Sequence, residues 1–83
     1  MTAEEKQMID YIIGRIRKPN LVIDENTPLV SSGLVDSMAL GDLVLTLEDI
    51  THKRIPPGMV KPRDLDTVAK MFATAARVGK PQK

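Results

Sequence analysis

The chain has 83 residues, which suffices for one domain and not for two. It has no cysteine and a single histidine, which excludes a disulfide framework and argues against a zinc site. With 42% hydrophobic and 28% charged residues, the composition is typical of a globular protein, and no apolar run approaches the ~20 residues of a membrane span. We expect one soluble, cytoplasmic domain over residues 1–78 and a frayed tail over residues 79–83. Such a chain is too small to enclose a deep active site.

The net charge of +1 conceals an uneven distribution of charge along the chain. Residues 1–49 hold nine acidic and four basic side chains, a net charge of −5, whereas residues 50–83 hold eight basic and two acidic ones, a net charge of +6. Either two solvated faces happen to differ, or the protein presents two recognition surfaces of opposite sign. The sequence leaves both interpretations open.

A first helix is predicted over residues 3–17. Thr2 followed by Glu5 is a capping box, and Pro19 stops the helix. The residues of its core-facing stripe recur at helical spacing and are Met8, Ile9, Ile12, Ile13 and Ile16. Turn-forming clusters and apolar residues then alternate over residues 19–36. Loops of this length are usually functional or disordered, and the apolar content favours an ordered loop that is pinned to the core.

A second helix is predicted to begin at Asp36 and Ser37, with Asp36 as its N-cap. Its core-facing side chains are Leu40, Leu43, Val44 and Leu47. The opposite side carries a smaller apolar strip, Met38 and Leu45, with Gly41 near it (the Met38/Leu45 strip). Three carboxylates flank this strip and are those of Asp42, Glu48 and Asp49.

The last helix is predicted to be capped by Asp66 and closed by Gly79. A short turn is expected near Met59, and no alternation of period two is strong enough to predict a sheet. The predicted fold class is therefore all-α: a small three- to four-helix bundle with a long loop between helices one and two.

Ser37 is the residue whose position suits chemistry. A serine in this position most often caps or solvates the start of a helix. A phosphodiester on its hydroxyl would, however, lie at the positive end of the second helix, among free backbone N–H groups. The sequence contains no phosphate-binding glycine loop or HExxH motif, and no side chain obviously activates Ser37 as a nucleophile. This favours modification of Ser37 by a partner enzyme over catalysis by the chain itself, so no catalytic or metal-binding residue is assigned.

The segment Gly33-Leu34-Val35-Asp36-Ser37-Met38 resembles the attachment motif of acyl and peptidyl carrier proteins. The similarity continues in three further segments, so that it covers about residues 3–76. These are Leu43–Asp49, which resembles the body of the family's second helix, the Ile55–Pro56 stop, and Asp64–Val68, which resembles the start of its last helix. The resemblance implies a helical bundle like that of the acyl carrier proteins.

The resemblance implies that Ser37 carries 4′-phosphopantetheine, delivered from coenzyme A by a separate phosphopantetheinyl transferase with magnesium. Asp36 would cap the helix and help to orient that reaction. The thiol of the prosthetic group would hold an acyl or aminoacyl group as a thioester, so the chain would be a substrate of enzymes and not an enzyme. The implied partners are the transferase, an acyl- or aminoacyl-loading enzyme and a downstream synthase or transferase. The implied partner-facing residues are Met38, Gly41, Asp42, Leu45, Glu48 and Asp49.

Three features favour a specialised carrier over the carrier of housekeeping fatty acid synthesis. The chain is strongly basic after residue 49, Gly41 stands where a larger apolar residue is common, and residues 57–63 replace an acidic short helix. We expect a stand-alone monomer that serves an aminoacyl, polyketide-like or modified-lipid pathway.

Two other classes of function stay open. A non-catalytic interaction module would dock through the Met38/Leu45 strip and would tolerate Ser37→Ala. A small nucleic-acid-binding domain would use the basic side chains after residue 49. Because the first 49 residues are acidic and no helix clusters arginine with asparagine or glutamine, no nucleic-acid partner is expected.

Overall fold

The computed structural model describes residues 1–17 and 21–81. This part of the chain contains three α-helices, one pair of very short strands, and the turns and loops between them. The helices are α1 (Ala3–Ile16), α2 (Leu40–Thr51) and α3 (Val68–Val78). The antiparallel strands are β1 (Lys53–Arg54) and β2 (Lys80–Pro81). The predicted fold class was all-α; the three main helices are confirmed, and the described part of the chain is mostly helical with one small strand pair. None of the helices in these residues is long and apolar enough to cross a bilayer.

Helix α1 begins with the predicted capping box. The Thr2 hydroxyl accepts a hydrogen bond from the Glu5 N–H at 3.0 Å, and the Thr2 N–H donates to the Glu5 carboxylate at 2.8 Å. The helix ends at Ile16, one residue earlier than predicted, because Arg17 adopts the left-handed conformation with φ at 57°. The predicted stop at Pro19 lies outside the described residues.

The connection between α1 and α2 is ordered by contacts with the start of α3. Leu29 is fully buried, and its N–H donates to the Asp66 carbonyl at 2.7 Å. A second backbone hydrogen bond joins the Ala69 N–H to the Glu25 carbonyl at 2.9 Å. The expected pinning of this loop to the core is confirmed, and its anchor is the start of α3.

Helix α2 is preceded by one tight 3₁₀ turn, Ser37–Ala39, so the helical segment begins where the sequence predicts. Asp36 is its cap, since Oδ1 accepts from the Ala39 N–H at 3.0 Å. The segment becomes α-helical at Leu40 and ends at Thr51, where His52 adopts a left-handed conformation with φ at 56°.

Two 3₁₀ turns, Pro57–Met59 and Pro62–Leu65, connect β1 to α3, and each begins with proline, which is favoured at a first helical position. The strand pair differs from the sequence prediction, which gave no sheet and a frayed tail from residue 79. The register pairs Arg54 with Lys80 and Lys53 with Pro81. Two residues are too few to leave a periodic signal, so this pairing could not be predicted.

The prediction that Asp66 caps the last helix is wrong. Helix α3 begins one residue later, and its cap is Thr67, whose hydroxyl accepts from the Lys70 N–H at 3.0 Å. The Asp66 side chain turns away from α3 to the long loop. All three helices contribute to a single core, whose fully buried large side chains are Met8, Ile12, Leu29, Leu43, Leu47, Val68 and Met71.

Candidate functional site

Ser37 is exposed at the first position of the helical segment that leads into α2. In the described residues, the backbone N–H groups of Ser37 and Met38 donate to no protein acceptor, while that of Ala39 is occupied by Asp36. These unpaired N–H groups lie at the positive end of the helix dipole and favour an anion. The hydroxyl is therefore accessible and lies where a phosphate ester would be stabilised.

The Met38/Leu45 strip is exposed, as the sequence predicted. Met38 is 88% exposed and Leu45 is 60% exposed. Gly41 lies between them in the chain, is also exposed, and has open space where a side chain would begin. Large apolar side chains this far in solvent cost free energy unless a partner covers them, so this strip is a candidate contact surface.

The three acidic residues predicted beside the strip have different surroundings. Asp42 forms an ion pair with Arg15 of α1 at 2.9 Å. Glu48 accepts the N–H of Ile55 at 2.7 Å through Oε2, so it satisfies a backbone group just after β1. Asp49 is exposed, and its carboxylate has no hydrogen bond or ion pair to any residue in the described ranges. Of these three carboxylates, only that of Asp49 makes no hydrogen bond or ion pair within the described ranges.

Asp66 fixes the loop that leads to Ser37. Its Oδ1 accepts the N–H groups of Val30 and Ser31, each at 2.8 Å, and its Oδ2 accepts the Ser31 hydroxyl at 2.9 Å. The pKa of Asp66 lies below its usual value of 3.8, first because of the Ser31 N–H and further because of the Ser31 hydroxyl and the Val30 N–H; partial burial opposes this shift. We call this arrangement the Asp66 clamp.

Two concavities border the residues around Ser37. A cleft of about 880 Å³, lined by both polar and apolar side chains, includes Asp36 and Ala39 in its wall and continues along α1 to Arg15 and Arg17. An apolar groove of about 690 Å³ begins at Leu40 and Gly41 and follows α2 towards the strand pair. We call the latter the α2 groove.

Two structural features near Ser37 were missed by sequence reasoning. The Asp66 clamp was missed because Asp66 is also a suitable helix cap, and only the fold brings it to a loop 35 residues earlier. The α2 groove was missed because its outer wall consists of two 3₁₀ turns. Pro57 and Pro62, which begin those turns, could have predicted the turns but not the groove.

Comparisons of this chain with protein-family models, with curated proteins and with solved structures find no match.

Proposed function

We propose that this protein is a small carrier protein whose Ser37 hydroxyl receives 4′-phosphopantetheine from coenzyme A. The observation that carries the proposal is the placement of Ser37. Its side chain is exposed and directly follows the capping Asp36. It also lies at the end of a long loop that the Asp66 clamp holds in place. The resemblance of residues 33–38 to a carrier attachment motif points to the same residue. An acyl-carrier-like version of the helical bundle belongs to the same proposal.

The surroundings of Ser37 fit a phosphodiester. The hydroxyl faces solvent, so a bulky donor and a separate enzyme have access to it, and the free N–H groups of Ser37 and Met38 favour the negative charge of the product. Ser37 Oγ would form a bond to the coenzyme A phosphorus that bears pantetheine. The bond from that phosphorus to adenosine 3′,5′-bisphosphate would break, and the hydroxyl proton would pass to a base of the transferase, because no base of this chain is bonded to Ser37 in the described residues.

The prosthetic group would supply the thiol that the chain lacks, and with it the thioester chemistry of an acyl or aminoacyl cargo. The chain's own contribution is recognition. Met38 follows the attachment residue directly, and Leu45 and Asp49 lie farther along α2; these exposed apolar and acidic groups suit weak contacts with a transferase, a loading enzyme and a synthase in turn. Such a carrier acts as a monomer in the cytoplasm, and its basic second half fits a specialised biosynthetic pathway.

The test is intact-protein mass after incubation with coenzyme A, magnesium and a broad-specificity phosphopantetheinyl transferase. Wild type is expected to gain the mass of one phosphopantetheine, and Ser37→Ala is expected to gain nothing. Ser32→Ala is the matched control, since Ser32 is also exposed in the same loop region and should leave the modification intact.

A folded wild-type chain that gains no mass, with several transferases tried, would refute the proposal. A mass gain that persists in Ser37→Ala and disappears in Ser32→Ala would show that the group is attached to Ser32 and not to Ser37. The exposed Met38/Leu45 strip supports a second candidate, a non-catalytic interaction module. That candidate predicts that Ser37→Ala keeps partner binding and that Leu45→Ser abolishes it.

A further inference from the structure

The outer face of α3 carries a group of cations around a small concavity. Arg63, Lys70 and Arg77 line this concavity, and all three residues are exposed. Lys70 and Arg77 lie on the same side of α3, because seven residues make almost two full turns, and they are separated by about 10 Å of helix. Ala73 lies between them, and its short side chain leaves room above the helix. We call these three cations the α3 cation site.

Arg63 reaches the site from the side, since it belongs to the turn Pro62–Leu65. The next residue, Asp64, joins this turn to the middle of α3, because its carbonyl oxygen accepts the Thr74 hydroxyl at 3.3 Å. An ion pair at 3.8 Å between Asp64 Oδ1 and Arg77 Nη2 holds the same turn near the end of the helix. The three cations therefore border the concavity from both ends of the exposed strip of α3 and from its side.

The positive charge of the site is only partly neutralised within the protein. Asp64 supplies the one carboxylate among the described residues that line the concavity, and it is already engaged. Its Oδ2 accepts the Lys61 N–H at 2.9 Å, and its Oδ1 faces Arg77. Within residues 1–17 and 21–81, Arg63 and Lys70 form no ion pair. Three cations and one carboxylate leave a net charge of +2, which a dianion would balance.

We infer that the α3 cation site binds a small anion with two linked phosphate groups, such as pyrophosphate or the diphosphate of a nucleotide. A guanidinium group presents a planar fork of N–H donors that matches phosphate oxygens, and an ammonium group adds a compact charge. Because Lys70 and Arg77 start about 10 Å apart on the helix, one tetrahedral anion reaches both only if both side chains fold inward. Two linked phosphate groups span more of that distance.

The size of the concavity fits this class of ligand. Its volume of about 320 Å³ lies at the lower end of the roughly 300–1,000 Å³ of small-ligand sites. A diphosphate group fits this space, whereas any larger group attached to it would lie in solvent. The site does not use Ser37, so it is independent of the proposed attachment of phosphopantetheine.

The experiment is an NMR titration of the full chain, labelled with nitrogen-15, at pH 7 and constant ionic strength without magnesium. The probes are pyrophosphate, sulfate and glutarate. Sulfate is a dianion with one tetrahedral group, and glutarate has two carboxylates like those of an acidic protein segment. Pyrophosphate is expected to shift the amide signals of Arg63, Lys70 and Ala73. It should bind roughly tenfold more tightly than either other anion, since it contacts more of the three cations and each exposed contact adds a modest attraction.

A further titration with adenosine diphosphate identifies the source of the diphosphate group. Binding as tight as that of pyrophosphate would assign the diphosphate of a nucleotide, and binding of pyrophosphate alone would assign the free ion. Both results support the site.

Two double variants with the same net charge separate the site from a general response to charge. Arg63→Gln/Lys70→Gln is expected to bind pyrophosphate roughly tenfold more weakly than wild type. Arg54→Gln/Lys80→Gln, which removes two cations that line the α2 groove instead, should bind it as wild type does. Circular dichroism checks that both variants fold. If the first does not, Lys70→Gln alone should weaken binding roughly threefold.

Three results would overturn the inference. The first is equal affinity of wild type for pyrophosphate and for sulfate or glutarate. The second is an unchanged affinity for pyrophosphate in the folded Arg63/Lys70 variant. The third is an equal loss in the Arg54/Lys80 variant, which would show that net charge alone is recognised. Binding is expected to be the same in Ser37→Ala, so a failure of the attachment proposal and a failure of this one can be told apart.

Discussion

Replacing Asp66 with alanine is expected to loosen the attachment of the long loop to the start of α3 and to lower the free energy of unfolding by about 2–3 kcal/mol at pH 7. The change removes all three hydrogen bonds of the Asp66 clamp: those from the N–H groups of Val30 and Ser31 and that from the Ser31 hydroxyl. Hydrogen bonds to a charged acceptor contribute about 1.5–3 kcal/mol when buried. Only the Val30 bond approaches that value, since Ser31 is exposed and water replaces its two bonds at a cost of about 0.5 kcal/mol each.

The same prediction has a definite dependence on pH. Because the folded-state pKa of Asp66 is below the usual 3.8, its ionisation stabilises the fold fully above about pH 4 and progressively less as the pH falls through the folded-state pKa. The difference in stability between wild type and Asp66→Ala should therefore be largest near pH 7 and should narrow below pH 4. Asp66→Asn keeps an acceptor oxygen without the charge, so it should lose only about 1 kcal/mol at pH 7.

Urea unfolding followed by far-ultraviolet circular dichroism measures these differences in a chain with one tyrosine and no tryptophan. Asp49→Ala is the matched control and should stay within about 0.5 kcal/mol of wild type. An Asp66→Ala variant as stable as this control at pH 7, or a loss of stability that is the same at pH 7 and pH 3, would refute the reasoning from the Asp66 clamp.

Three further predictions concern the packing that positions the site. Leu29→Ala should cost about 2–5 kcal/mol in urea unfolding, because Leu29 is fully buried and anchors the loop; a cost below 1 kcal/mol would mean that the loop does not need this anchor. Gly14→Ala should raise the thermal midpoint of unfolding, since an added methyl group meets open space and Ala is favoured in a helix by about 1 kcal/mol. Gly79→Ala should lower the thermal midpoint, because its Cβ would overlap a carbonyl oxygen of α3. Glu48→Ala should cost about 1–3 kcal/mol by leaving the Ile55 N–H without an acceptor, and Glu48→Gln, which keeps one, should cost less than half of that; equal losses would show that charge and not the hydrogen bond matters.

The elements that depend on local signals were predictable from the sequence. Each helix cap bonds groups only three residues away: Thr2 and Glu5 bond each other at the start of α1, and Asp36 bonds Ala39 at the start of the second helical segment. The apolar stripe of α1 follows from the spacing of its own residues. Ser37 and the Met38/Leu45 strip were placed on the exposed side because helical spacing separates them from the core positions.

The elements that depend on distant contacts were not predictable. Asp66 and Thr67 are both good helix caps by residue type, and the choice between them is made by Val30 and Ser31, which lie far away in the sequence. The flank of acidic residues was likewise predicted as one surface, because the sequence cannot show that Arg15 lies beside Asp42. Residue type identifies which groups can bond, whereas the fold decides which partner each one meets.

The order in which a ribosome releases the chain determines when the Asp66 clamp can form. The clamp joins the loop to a residue that is synthesised about 35 positions later, and the bond from Ala69 to Glu25 spans 44 positions. Until Asp66 and Ala69 have emerged, the loop that ends at Ser37 lacks its tether, and the helical segment after it lacks α3 as a packing partner. An enzyme that recognises the folded surroundings of Ser37 would therefore act only after nearly the whole domain has been made, so that maturation at this residue would itself report completed folding.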